Sequence, residues 1–320
     1  MGSPFTAQQR RKVKHDSRAC VWDNIGRCIG IQILCAVPYV LLLVILYATL
    51  FGRVFALLAA GYTDNYILGS AAAEGLNSVW GVLFVMLVIT GPLQYGLMRF
   101  YVSLRRGGEP GTGTLFQAFT SLQELWTGIK MAFCLFFRSL LWTVGPTLLY
   151  MFALMVITIN TIVTRHAPPA GLMTGIGVLY GLAMLLINVK LLAYRAGWVV
   201  LYDHPDCSVW DATAHAGRAF LGQFGRLLLF VLSFIGWYIL LAGITGVCLF
   251  LGLLGWRFFG GAMGVAVLAA VLLAVACLYI VLGSFINAYF TTSFIGVYET
   301  LAEPQGEAGP RTPDGGENLQ

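Results

Sequence analysis

The chain has 320 residues, of which 58% are hydrophobic and only 10% charged, and its formal net charge is +5. A mean hydropathy of +0.81 excludes an ordinary soluble domain, in which about a quarter of the residues carry charge. No aromatic-basic motif accompanies the positive charge, so nucleic acid is not an expected partner.

Residues 1–28 read as a polar, basic leader with a short and rather irregular amphipathic helix around Val21, Trp22 and Ile25. Six nearly uncharged runs follow, at about 29–51, 79–98, 140–163, 172–189, 227–256 and 262–282. Each is long enough as a helix to cross about 30 Å of hydrocarbon. The first run is too long for a signal-peptide core and follows too long a leader, so it is expected to stay as a span. The fold class predicted is an all-α membrane protein, with six transmembrane helices in a membrane domain over 29–302 and short amphipathic interfacial helices on the cytoplasmic side. The last stretch, 303–320, is rich in Gly, Pro and acidic residues and is expected to be a disordered cytoplasmic tail.

Orientation follows from Lys and Arg, which accumulate on cytoplasmic flanks. With both termini inside, sixteen of the 19 basic residues lie on the inner side and only Arg53, Arg165 and Arg257 face out.

The inner connections share a pattern. In the middle one, Leu115, Phe119, Leu122 and Trp126 fall on one helical face, and Thr114 with Gln117 fits a capping box. In the last, Trp210, Ala214 and Leu221 share a stripe, and Ser208 with Asp211 fits a second box. The returning spans end near Pro110, Pro205 and Pro304. Two readings stand: three copies of an interfacial helix with a helical hairpin, at about 14–110, 111–205 and 206–304, or even loop lengths arising by accident. True repeats would permit a central cavity of the kind found in transporters.

Within the spans, Pro38, Pro92 and Gly145-Pro146 predict bends, because proline frees a backbone carbonyl that hydrocarbon cannot satisfy. Gly91 and Gly96 would let another helix approach closely. Arg99, Arg105 and Arg106 mark the exit of the second span, where long basic side chains reach the interface; an anion or lipid-headgroup site is the functional alternative. Arg138, Asn188, Lys190 and Arg195 have apolar neighbours on both sides, and Arg138 needs a partner if its helix begins well before it. Gln94, Asn188 and Asn287 are uncharged polar candidates in the same inner half. The binding candidates are therefore Gln94, Arg99, Arg138, Asn188, Lys190, Arg195 and Asn287.

The densest titratable stretch, "YDHPDCSVWDATAH", holds His204, Asp211 and His215. Asp211 and His215 share a helical face at metal-ligand spacing, but capping and charge at a helix N-terminus also account for the acid. Seven cysteines show no C-x-x-C pair and no disulfide framework. No hydrolase, nucleotide-binding or metalloprotease motif appears. No catalytic residue and no cofactor are expected.

"GPLQYGLMRFYVSLRRGGEP" followed by "TLFQAF", then "LYDHPDCSVWDA" and "GRLLLFVLSFIGW", resemble in order and content the bacterial integral membrane family termed domain of unknown function 975. The likeness runs from about Ala19 to Leu301, and its sharpest pieces are Gly91-Pro92-Leu93, Asp203-x-Pro205 and Ser233–Trp237. The resemblance implies a multi-pass protein of a prokaryotic plasma membrane and assigns no catalytic or binding residue. The chain departs from the family at Gln223–Arg226, where a Gly-x-Lys segment is commoner. Three roles follow as expectations: a non-catalytic accessory protein that meets anionic lipid headgroups at the inner leaflet, a small-solute permease or channel, or an intramembrane enzyme, for which no nucleophile and base can be named.

Overall fold

The computed structural model describes residues 6–61, 65–166 and 168–302; the acidic tail and the last residues of the third unit lie outside them. The described residues are helical throughout: α1 (Ala7–Asp23), α2 (Ile25–Ala59), α3 (Asn65–Arg105), a 3-10 helix (Thr112–Phe119), α4 (Leu122–Thr164), α5 (Ala170–Arg195), α6 (Gly197–Asp203), α7 (Val209–Ala219), α8 (Phe224–Leu232), α9 (Ile235–Phe259) and α10 (Gly261–Ala302). Six segments are long and apolar enough to cross a membrane: Ile25–Thr49, Val79–Arg105, Leu122–Thr164, Gly171–Asp203, Phe224–Phe259 and Met263–Ala302. This is a multi-pass membrane protein.

The helices are longer than the apolar runs suggest. The third span begins at Leu122, not near residue 140, because Ser121 is the N-cap and Glu124 sits in the first turn, where a carboxylate favours the helix dipole. The amphipathic helix expected across residues 115–126 is therefore split. Its first part is the 3-10 helix, with Gly111 at its N-cap and no side-chain cap, so the box predicted at Thr114 and Gln117 does not form. Two glycines, Gly111 and Gly113, weaken an α-helix there.

At α7 the expected cap is present, Ser208 Oγ accepting from the Asp211 amide at 3.2 Å. The first short helix is more regular than its sequence suggests. Thr6 and Gln9 form a complete capping box, and Val13, Ser17 and Val21 make a buried stripe against α10. Pro38, Pro92 and Pro146 all lie inside continuous helices.

The fifth span is broken into α8 and α9 at Ser233 and Phe234. The Trp237 and Tyr238 amides both turn to the Phe234 carbonyl, which leaves the Ser233 carbonyl without its usual donor. Lys14 Nζ supplies one, reaching Ser233 O at 3.4 Å and Oγ at 3.1 Å, with its charge 4.4 Å from the Phe234 ring centroid.

The hairpins α2/α3, α4/α5 and α9/α10 each pack internally, and contacts between them run in a cycle. α3 packs on the 3-10 helix and α4, α5 and α6 pack on α7, and α10 packs on α1 and α2. The dense core lies at the basic end, where Phe100, Tyr101, Leu115, Val199, Ile286 and Ile295 are fully buried. Towards the other end the helices keep bare apolar flanks, for example Leu141, Leu149, Phe250 and Leu273, as a hydrocarbon solvent requires. Lipid is as apolar as leucine, so such flanks gain little from meeting one another. Close approach and polar pairing hold the helices together instead. α3 meets α4 at Gly91, Pro92 and Gly128, and it meets the 3-10 helix at Gly96, where a Cβ would lie 2.7 Å from the Leu115 carbonyl carbon.

Candidate functional site

Above that core α2, α3, α4, α5, α6 and α10 line a partly open cavity of about 630 Å³. Leu97, Met98, Trp198 and Phe294 are among its apolar lining, and Trp198 is held against Tyr95 at 5.7 Å between ring centroids. The polar lining converges from separate helices: Gln32 from α2, Gln94 from α3, Ser139 from α4, Arg195 from α5 and Asn287 from α10.

A hydrogen-bonded line crosses the site. Asn287 Nδ2 donates to Gln32 Oε1 at 3.0 Å, and Gln32 Nε2 donates to the Tyr101 hydroxyl at 2.7 Å. Tyr101 is fully buried below it. The Tyr39 hydroxyl, also in the lining, is buried without a hydrogen-bond partner.

Arg195 is the cation of this cavity. Protein surrounds much of it, yet the residue is exposed to water, the combination produced when a group faces an open cavity. No ion pair or hydrogen bond engages it among the described residues, and the lining contains no Asp, Glu or His. A guanidinium within a membrane span without a counter-charge is costly. The arrangement of one cation, three carboxamides and several hydroxyls is suited to hold an anion.

The other sequence-derived candidates are placed differently. Arg99 is committed to Glu124, with guanidinium nitrogens 2.9 Å from both carboxylate oxygens, and it lies over the Tyr95 ring at 4.7 Å. It is a structural clamp between α3 and the start of α4, not a free exit charge. Asn188 stands outside the cavity, donating to the Met184 carbonyl of its own helix at 2.8 Å. Arg138 and Lys190 are also outside, on the α4/α5 hairpin. Arg138 lies 4.5 Å from the Tyr194 ring centroid and 5.3 Å from that of Trp210, and Lys190 lies 3.2 Å from that of Trp142.

His204 caps the end of α6 and His215 is exposed on α7. Asp211 accepts from Ser208 Oγ at 2.6 Å, so its carboxylate serves the helix start. No three His, Cys, Asp or Glu residues gather to hold a metal among the described residues.

The apolar runs contain no carboxylate, but the longer helices bring Glu124, Asp203 and Glu299 within the spans, each held by arginine. Arg105 Nε donates to Glu299 at 2.8 Å and its Nη1 to Ser17 at 2.8 Å. Gln32, Tyr101, Lys14 and these acids are not among the residues that the sequence singles out as binding candidates. Gln32 was the most visible of them, a lone carboxamide inside the first apolar run.

No protein-family model matches the chain, and neither a characterised protein nor a solved structure resembles it significantly.

Proposed function

We propose that this multi-pass membrane protein is a non-catalytic small-solute permease whose interior cavity receives an anionic solute on Arg195. The observation that carries the reading is the unpaired Arg195 in a cavity that it shares with Gln32, Gln94 and Asn287. Permease substrates bind where polar groups from different spans converge, and Gln94 and Asn287 line one cavity. Cys35 and the lining hydroxyls have no carboxylate or imidazole beside them in the lining to act as a base, which favours binding over catalysis.

The proposal extends to the setting. The basic end lies at the cytoplasmic face of a bacterial plasma membrane, as the charge asymmetry and the likeness to domain of unknown function 975 imply, and the short helices there lie along the interface. The cyclic packing of return helices on the next short helix favours three copies of one unit over accidental spacing.

The test is thermal stability of the purified protein in nanodiscs with a panel of small anions: inorganic phosphate, glycerol phosphate, succinate and glutamate. At least one should stabilise the wild type and lose its effect in Arg195→Gln, and the same anion should enter proteoliposomes. Stabilisation that is equal in Arg195→Gln, or a panel without effect, would remove the assignment.

A further inference from the structure

The α4/α5 hairpin carries a second cationic arrangement, separate from the cavity. Arg138 and Trp142 are four apart on α4, and Lys190 and Tyr194 are four apart on α5. The helices run antiparallel, so each cation stacks on the aromatic ring of the other helix, Arg138 on Tyr194 at 4.5 Å and Lys190 on Trp142 at 3.2 Å. Trp210 of α7 closes the far side of Arg138 at 5.3 Å.

Ring faces attract a cation but accept little hydrogen bonding from it. Among the described residues neither Arg138 nor Lys190 has an ion pair or hydrogen bond, and Arg138 Nε is buried without a partner. The rings therefore hold two positive charges on one hairpin and leave their donors unused. Two cations inside membrane spans without a counter-charge are costly, and an anion beside them offsets that cost. Asp211, beside Trp210, does not serve, because Ser208 holds its carboxylate.

The surroundings indicate which anion. The site opens on the side of the hairpin, where Trp142 is 38% and Trp210 58% exposed, and bare Phe137, Leu141 and Leu186 surround it. A pair of cations beside an exposed apolar flank suits a phosphate-bearing head with chains attached.

We propose that Arg138 and Lys190, set between Trp142, Tyr194 and Trp210, form a lateral binding site for the phosphate headgroup of an anionic lipid. Tyr194 is the positioned element of this site, for Gly217 of α7 lies against its ring, and a Cβ there would come within 2.8 Å of Cε1. None of these residues lines the cavity that holds Arg195.

The experiment is native mass spectrometry of the full chain released from nanodiscs of phosphatidylcholine alone, of phosphatidylcholine with phosphatidylglycerol, and of phosphatidylcholine with added inorganic phosphate. Wild type should retain phosphatidylglycerol in preference to phosphatidylcholine. The double variant Arg138→Gln/Lys190→Gln should hold it about tenfold or more weakly, and Arg11→Gln/Lys12→Gln, with the same charge loss on exposed α1 positions, should match wild type. Phosphate retained by wild type without lipid preference, and lost in the double variant, keeps the phosphate site and assigns it to a soluble source. Equal phosphatidylglycerol retention by wild type and the double variant overturns the site.

Should the double variant not fold, the wild type decides alone. Acetylation of Lys190, read by peptide mass spectrometry, should be slower in phosphatidylglycerol or with phosphate than in phosphatidylcholine alone, and equal rates in all three overturn the proposal.

Discussion

Arg106, just past the end of α3, grips Asp203 of α6 with both terminal nitrogens, at 2.5 and 3.1 Å. Its Nε reaches Glu299 of α10 at 3.1 Å, and Arg105 adds Ser17 of α1. One cluster thus joins the ends of all three return helices. The hydrogen bond to Asp203 raises the Arg106 pKa above its usual range against the opposing effect of burial, so the cation persists at any working pH.

Removing that side chain should loosen the basic end. Arg106→Ala is expected to cost about 1–2 kcal/mol, a value limited by the partial exposure of the pair. Arg106→Lys should recover only part of it, since an ammonium cannot match the fork. Thermal unfolding in detergent, in a double-mutant cycle with Asp203→Asn, measures the coupling. A coupling energy of zero would show the cluster to be decorative.

The crossing of α3 and α4 should tolerate no added methyl. A Cβ on Gly128 would lie 2.9 Å from the backbone N and Cα of Pro92, and backbone cannot swing aside as a side chain can. Gly128→Ala should destabilise by about 1–3 kcal/mol. Gly145→Ala, where a Cβ meets nothing, is the matched control, and equal unfolding temperatures for the two would contradict the close crossing.

Cys20 should react slowly with alkylating agents. Burial is the first cause that raises its thiol pKa, with Asp23 adding to it and Arg105 opposing, and Sγ faces the Leu104 carbonyl at 3.5 Å. The folded state disfavours the thiolate. The corresponding stability is full below the ordinary thiol value of about 8.5 and is lost as pH rises through the raised one. Maleimide labelling followed by peptide mass spectrometry at pH 7 to 9 should modify Cys207 before Cys20; the reverse order would refute the shielding.

The proposed orientation places Lys12 and Arg165 on opposite sides of the membrane. Single cysteines at these two positions, in a cysteine-free background, should label from opposite sides of sealed vesicles with a membrane-impermeant reagent. Labelling from one side would reverse an odd number of spans and remove the cytoplasmic assignment of the basic end.

Six membrane segments were legible in the sequence because partition between oil and water is a local property. About 20 adjacent apolar residues settle it whatever they touch. Gly91 and Gly96 likewise announced close approach, since only a missing side chain admits another backbone. The length of α4 was not legible, because Glu124 reads as a polar interruption until Arg99 is seen to hold it.

Only the tertiary structure decided which polar residues meet. Asn188 and Arg195 are two helical turns apart on α5, yet Arg195 enters the cavity and Asn188 does not. Asn287 finds Gln32 across 255 positions, and Lys14 mends a helix break 219 residues away. Such pairings depend on where helices cross and how each is rotated about its axis. Helix packing sets both, and no local pattern of residues contains either.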